Sequence, residues 1–364
     1  MKKIIIFITC IFCLVGCSSN TKPKEEAPKA KKVAEKQEEK QYQYYYSKLS
    51  KSDKKNYNLL YEGIKSSDKS VQFDKMTTEK IEELSSYVRS DHPELFWVEP
   101  EFTYMQLKEG KAMSVYPKYN MKKKQVKAMK KQLEEIRDGI IAGIQSEDEY
   151  TKVKMVYDYV TQNFEYIEGS VNNQNIMSAL INKQTVCAGY AKTVQYLLLS
   201  MGMECTLIEG ATIDDPNAAI GHAWNMVKVN NDYYYLDATW GDMVNNIVHT
   251  CDGYFLMSDA EMLKAYIPDY AYEATTTGND TWYNREGTYL SSWNSQVISS
   301  LWINAINSGR NYIEIKCAPE AMADIRWRLA ESGEMYTIME NCGVNVDQFF
   351  YVEYTELDTF DIYY

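Results

Sequence analysis

The chain has 364 residues, 45% of them hydrophobic and 25% charged, with 17 Gly and eight Pro, which excludes a fibrous or wholly disordered protein. Its length allows two domains, or one domain with sizeable additions. The formal net charge of −12 argues against nucleic acid and against anionic wall polymers as main ligands; a cationic or neutral partner is easier to accommodate.

The N-terminus reads as a targeting segment. Lys2 and Lys3 precede an apolar run over 4–15, shorter than the roughly 20 residues a spanning helix needs. The run ends in 14-LVGC-17, which resembles a bacterial lipobox. That resemblance implies a lipoprotein signal peptide over 1–16 and a lipid on Cys17. The protein is then expected to be lipid-anchored on the extracytoplasmic face of the cell membrane, with nothing spanning it. Residues 18–43 are low in complexity and charged with both signs, so a flexible linker is expected over 17–46. These first 46 residues hold nine Lys and five Glu, which leaves −16 for the rest.

Residues 47–120 read as a small helix-plus-strand region. Helices are expected over 53–64 and 79–90, a break at Pro93, and extended stretches over 102–107 and 112–117. In 121–144, Val126, Met129, Leu133, Ile136, Ile140 and Ile144 recur at spacings of three and four, the apolar stripe of a helix. Ser146 and Glu149 form a capping-box pattern ahead of a second helix marked by Val153, Val156, Val160 and Phe164. A third runs from Cys187 to Met201 and stops at Gly202. A strand over 204–213 and a loop over 214–221 lead to a hairpin, 222–229 and 233–240, around a turn at Asn230, Asn231 and Asp232. The region 261–364 is acidic and rich in Tyr and Trp. It should hold a strand at 312–317, a helix near 319–332 and a closing strand pair at 348–354 and 358–364.

Of eight cysteines, Cys10 and Cys13 leave with the signal and Cys17 is lipidated on this reading. Cys187, Cys205, Cys251, Cys317 and Cys342 remain, an odd number with no C-x-x-C pair. With only three His in the chain, neither a catalytic metal nor another cofactor is expected.

Cys187 differs from a structural thiol because it stands at the mouth of its helix. A helix N-terminus and a neighbouring imidazolium both favour a thiolate. The imidazole must come from His92, His222 or His249. His222 begins a strand, and the hairpin returns Asp237 toward it, where a carboxylate can fix the tautomer and stabilise the charged ring. The pieces 186-VCAGYA-191, 221-GHAWN-225 and 235-YLDATWGD-242, in that order, resemble the core of the bacterial transglutaminase-like superfamily, and 91-DHPELFWV-98 resembles the leader region of lipoproteins that carry it. The resemblance implies an α+β fold. Its papain-like core, expected over 121–260, would pack the Cys helix N-terminus on an antiparallel sheet, flanked by small N-terminal and C-terminal α+β regions.

It also implies Cys187 as nucleophile, His222 as general base and acid, and Asp237 as orienting carboxylate, acting on peptide or glutamine amides. Asp242 is an alternative to Asp237. The Cys187 N–H can supply one oxyanion donor; the second is unassigned, with Gln174 and Asn175 as candidates. The calcium dependence of animal relatives finds no loop here, since 214-DDPN-217 does not match one. Trp224, Trp240, Gly189 and Tyr190 read as packing or pocket-shaping residues. Two functions compete: an extracytoplasmic thiol enzyme, hydrolytic rather than cross-linking, and an inactive surface lipoprotein that binds cell-wall peptide or a partner protein.

Overall fold

Two helices open the described chain, α1 (Tyr44–Lys48) and α2 (Lys51–Lys65). The structure, a computed structural model, describes residues 41–106, 111–213, 221–243, 250–272 and 280–364. The signal peptide, Cys17, most of the expected linker, His249 and the 214-DDPN-217 loop lie outside those residues. Among the described residues no helix is long and apolar enough to cross a membrane.

The linker ends earlier than expected. Tyr44 and Tyr45 are buried at 7% and 5% exposure. Apolar tyrosine faces and a waiting carboxylate order this segment. The Tyr45 and Tyr46 N–H groups donate to Asp91 at 3.0 and 2.9 Å, and the Tyr45 hydroxyl donates to the Leu207 carbonyl at 2.8 Å. The Tyr57 hydroxyl donates to the same Asp91 at 2.8 Å.

Next come β1 (Val71–Thr77), α3 (Thr78–Asp91), β2 (Val98–Gln106) and β3 (Lys111–Tyr119). The three strands form an antiparallel sheet in the order β1-β3-β2. Strand β1 was not foreseen from sequence. Two long helices follow, α4 (Lys123–Ile141) and α5 (Glu149–Asn163). Asp148, not Ser146, caps α5 by accepting from the Thr151 N–H at 3.1 Å, which leaves the expected Ser146–Glu149 box unused.

The two-residue strands β4 (Glu165–Tyr166) and β5 (Gln184–Thr185) pair in parallel and deliver the chain to α6 (Cys187–Ser200). Then come β6 (Cys205–Thr212), β7 (His222–Val229), β8 (Asp232–Leu236), α7 (Ala238–Met243), α8 (Asp259–Ala265) and β9 (Tyr266–Pro268). The strands make an antiparallel sheet in the order β8-β7-β6-β9, and α6 packs on β6 and β7. Asn230 and Asn231 take positive φ in the two-residue turn between β7 and β8, as a primed hairpin turn requires. Strand β8 stops four residues short of expectation because Asp237 caps α7: its Oδ1 accepts from the Thr239 and Trp240 N–H groups at 2.9 and 3.2 Å. The core also runs past residue 260, since β9 pairs with β6.

One hydrophobic cluster joins Tyr57, Leu84 and Trp97 to Val156, Leu197 and Phe255, so the N-terminal elements and the Cys helix share a core. The C-terminal region has its own. It contains α9 (Trp282–Glu286), β10 (Tyr289–Leu290), α10 (Ser295–Asn307), β11 (Tyr312–Cys317), α11 (Met322–Ala330), α12 (Glu334–Asn341), β12 (Phe350–Tyr354) and β13 (Thr359–Tyr363). Its sheet runs β10-β11-β13-β12, with Ile298, Trp302, Ile325 and Met339 among the side chains buried beside it.

Asp91 ties α1 and α2 to the end of α3. Asp91→Ala strands two backbone N–H groups and a tyrosine hydroxyl, and should cost roughly 2–4 kcal/mol. Chemical denaturation measures that loss, and limited proteolysis should cut first between residues 41 and 50; unchanged stability and cleavage would refute the anchoring role.

Candidate active site

Cys187 is the first residue of α6, with Val186 as its N-cap in extended conformation. The first intrahelical bonds run from Gly189 and Tyr190 to the Val186 carbonyl, so the Cys187 and Ala188 N–H groups belong to the orphan donors of a helix start. Gly189 is needed here: a Cβ on it would fall 1.7 Å from the Thr185 Oγ1, which itself donates to the Asn173 carbonyl at 2.6 Å. The helix start is thereby pressed against the loop that forms one wall of the site.

The sheet supplies the imidazole. His222 opens β7 opposite Gly210 of β6. The buried Asn225, three residues on, donates to the Ala191 carbonyl at 3.0 Å and locks β7 to α6. His222 Nε2 donates to Asp237 Oδ2 at 2.6 Å, and the ring lines the same cleft as the Cys187 thiol. Burial disfavours charge on His222. The Asp237 carboxylate and the Cys187 thiol outweigh it and raise the pKa from 6.5 to about 10.

Asp237 is fully buried, and four donors satisfy it: the Thr239 and Trp240 N–H groups, His222 Nε2, and the Tyr266 hydroxyl at 2.8 Å. Trp224, Trp240 and Tyr266 surround the imidazole, their ring centroids 5.4–5.9 Å from it. These aromatic walls keep water from the His222–Asp237 pair. The structure thus brings Cys187, His222 and Asp237 together.

Other candidates go elsewhere. Asp242 accepts from the Tyr190 hydroxyl, so it is no substitute for Asp237. His92 is buried against Tyr61 and paired with Glu94 at 2.8 Å. Asn175 is spent on the Phe96 carbonyl and the Met177 N–H, whereas Gln174 lines the cleft beside Cys187. Among the described residues no group of three His, Cys, Asp or Glu is placed to hold a metal ion.

Cys187 opens into a cleft of about 580 Å³, within the usual range for ligand sites. Tyr166, Gln174, His222, Glu168, Glu209 and Asp269 are among its walls. Burial raises the Tyr166 hydroxyl pKa, and the Cys187 thiol reinforces the rise. Burial pushes the Cys205 and Cys251 thiols upward, and Cys317 to about 12. Tyr266 was missed in the sequence, although the Ser258–Glu261 capping box ahead of α8 was a legible sign of another element before it.

Residues 137–238 match the family model of the transglutaminase-like superfamily. The chain carries a transglutaminase-like domain. Cys187, His222 and Asp237 fall inside the matched segment and Tyr266 outside it. The chain is similar to a crystallised TGase, with 13% identity over 50% of this chain and 52% of the other and a TM-score of 0.29. It is similar to a candidate cysteine protease from Cytophaga hutchinsonii, with 15% identity over 48% and 66% and a TM-score of 0.28. Menin is similar at 15% identity over 61% and 53%, with a TM-score of 0.26. This chain thus spans between half and two thirds of each, and likenesses this distant carry no argument about chemistry. The curated proteins give no match.

The His222 pKa gives a signed prediction. Its folded value lies above its unfolded value of 6.5, so its contribution to stability is complete below pH 6.5 and disappears as pH rises through about 10. His222→Gln should therefore destabilise more at pH 6 than at pH 10 in chemical denaturation. An equal penalty at both values would contradict the ion-paired imidazolium.

Proposed function

We propose that the protein is a cysteine acyl-transfer enzyme acting on peptide or glutamine side-chain amides, with hydrolysis as its main outcome. The observation that carries the reading is His222, bonded to the buried Asp237 carboxylate and sharing one cleft with a thiol at a helix N-terminus. The Cys187 sulfur attacks the amide carbonyl carbon. The oxyanion that forms lies against the Cys187 N–H, with the Gln174 side chain as the second donor. The C–N bond breaks as the His222 imidazolium gives its proton to the leaving amine or ammonia, and a thioester remains on Cys187. Water then attacks the thioester while His222 takes its proton, the acid is released and the thiolate is restored. Asp237 and Tyr266 position the imidazole and touch no substrate.

Hydrolysis is favoured because the cleft opens to solvent and water is the acceptor always present. One observation favours amine transfer as a second reading. Glu168 and Asp269 line the cleft without an ion pair among the described residues, and a substrate ammonium would suit them. The lipobox-like 14-LVGC-17 supports action at the outer membrane surface, anchored through Cys17.

The test is incubation of the full-length chain with glutamine-containing peptides and a dansylated primary amine, followed by mass spectrometry. Cleaved or deamidated peptide without dansyl incorporation is the expected product; dominant dansyl incorporation would establish transfer instead. Asp237→Asn should slow either reaction roughly 10²–10⁴-fold, and Cys187→Ser should abolish it. Turnover that survives Cys187→Ser would overturn Cys187 as the nucleophile, and no turnover of any peptide by the unaltered chain would leave a binding role.

A further inference from the structure

Beside the catalytic cleft lies a second cavity of about 300 Å³, and Asn173 and Gln174 line both. Two cations face it, Arg89 from α3 and Lys192 from α6. Among the described residues neither has a carboxylate within ion-pair distance, and both are half-buried. The Lys192 ammonium donates to the Gln174 carbonyl at 3.0 Å and keeps its other donors. The surrounding charges do not cancel the pair. His92 is bonded to Glu94 at 2.8 Å, and Glu99 is drawn to Lys118 at 3.6 Å. Glu209, on the cleft side, is a single carboxylate acting on both Arg89 and Lys192. Two half-buried cations facing one hollow, with no carboxylate among the described residues in ion-pair contact, make an anion-accepting wall. A guanidinium and a carboxylate match each other bidentately.

We propose that Arg89 and Lys192 form a subsite for a free carboxylate of the substrate, next to the acyl-transfer centre. This rests on the reading of Cys187 as the reacting thiol and names the substrate class: short peptides bearing a carboxylate close to the bond attacked. Lys192 follows Cys187 by five residues on the same helix, about 7.5 Å along its axis. The two cavities share Asn173 and Gln174 in their walls, so the carboxylate belongs within a few residues of the attacked carbonyl. It is either the peptide's C-terminal carboxylate or a Glu or Asp side chain. A chain carrying −12 overall thus selects an anionic group locally.

The test is calorimetric titration of full-length Cys187→Ser protein, which binds without forming a thioester. The probes are N-acetyl-tetraalanine as the free acid and as the C-terminal amide. A second pair, N-acetyl-Ala-Glu-Ala-amide and its Gln counterpart, separates side-chain from terminal carboxylates. At least one acid should bind about ten-fold more tightly than its amide, the scale of a charge-assisted hydrogen bond. Arg89→Met and Lys192→Met should each erase most of that preference, and Arg89→Lys should retain part of it. Equal binding of acids and amides, no measurable binding of any probe, or a preference indifferent to both Met variants would overturn the proposal. Because the titration needs no turnover, that result leaves the acyl-transfer reading standing. Failed turnover, in turn, leaves the subsite readable.

Discussion

The site depends on satisfying one buried carboxylate. Asp237 has no exposure, and an ion so placed is tolerated only when donors surround it. Its four donors come from different directions: the first turn of α7, the start of β7 and the start of β9. Meeting its needs therefore fixes where β8 must end, where His222 must point, and why a three-residue strand has to close the sheet. The aromatic rings around His222 follow from the same constraint, because the pair is strong only where water is excluded.

The thiol side is built by close approach rather than by charge. Gly189 lets the first turn of α6 lie against Thr185 and the Asn173 carbonyl, and Asn225 ties that helix to the strand bearing His222. Gln195 on the same helix donates to the Ser90 carbonyl at 2.8 Å, so α3 is part of the frame that holds the thiol. Residues 173 and 174 then face both the cleft and the neighbouring cationic cavity. The wall that shapes the nucleophile's surroundings is also the wall of a second binding surface.

Cys187 and His222 were legible in sequence because each sits at an element boundary that leaves a sign, a small-residue helix start and a strand opening; Asp237 was legible as the carboxylate the hairpin returns to His222, but not as the cap of α7. The missed elements left weaker ones. Three residues, 266–268, are too few for strand alternation to register. Tyr44 and Tyr45 follow a charged tract, and nothing local announces that Asp91, far along the chain, collects the Tyr45 and Tyr46 N–H groups. Helix α10 holds Val297, Ile298, Ile303 and Ile306, β-branched residues of modest helix propensity, and the packing of Ile298, Trp302 and Ala305 decides its state. Arg89 carries no local sign on its helix, and only the fold sets it beside a cavity.

The central claim is that His222 and Cys187 act as one ion-pairing unit. The most direct test follows iodoacetamide alkylation of Cys187 against pH in the full-length chain, beside Cys205, Cys251 and Cys317, with and without His222→Ala. The account predicts that Cys187 reacts near pH 6 at least about ten-fold faster than the buried thiols, and that His222→Ala removes this low-pH reactivity. A Cys187 that reacts only as the pH approaches an ordinary thiol value, and to the same extent without His222, would contradict it.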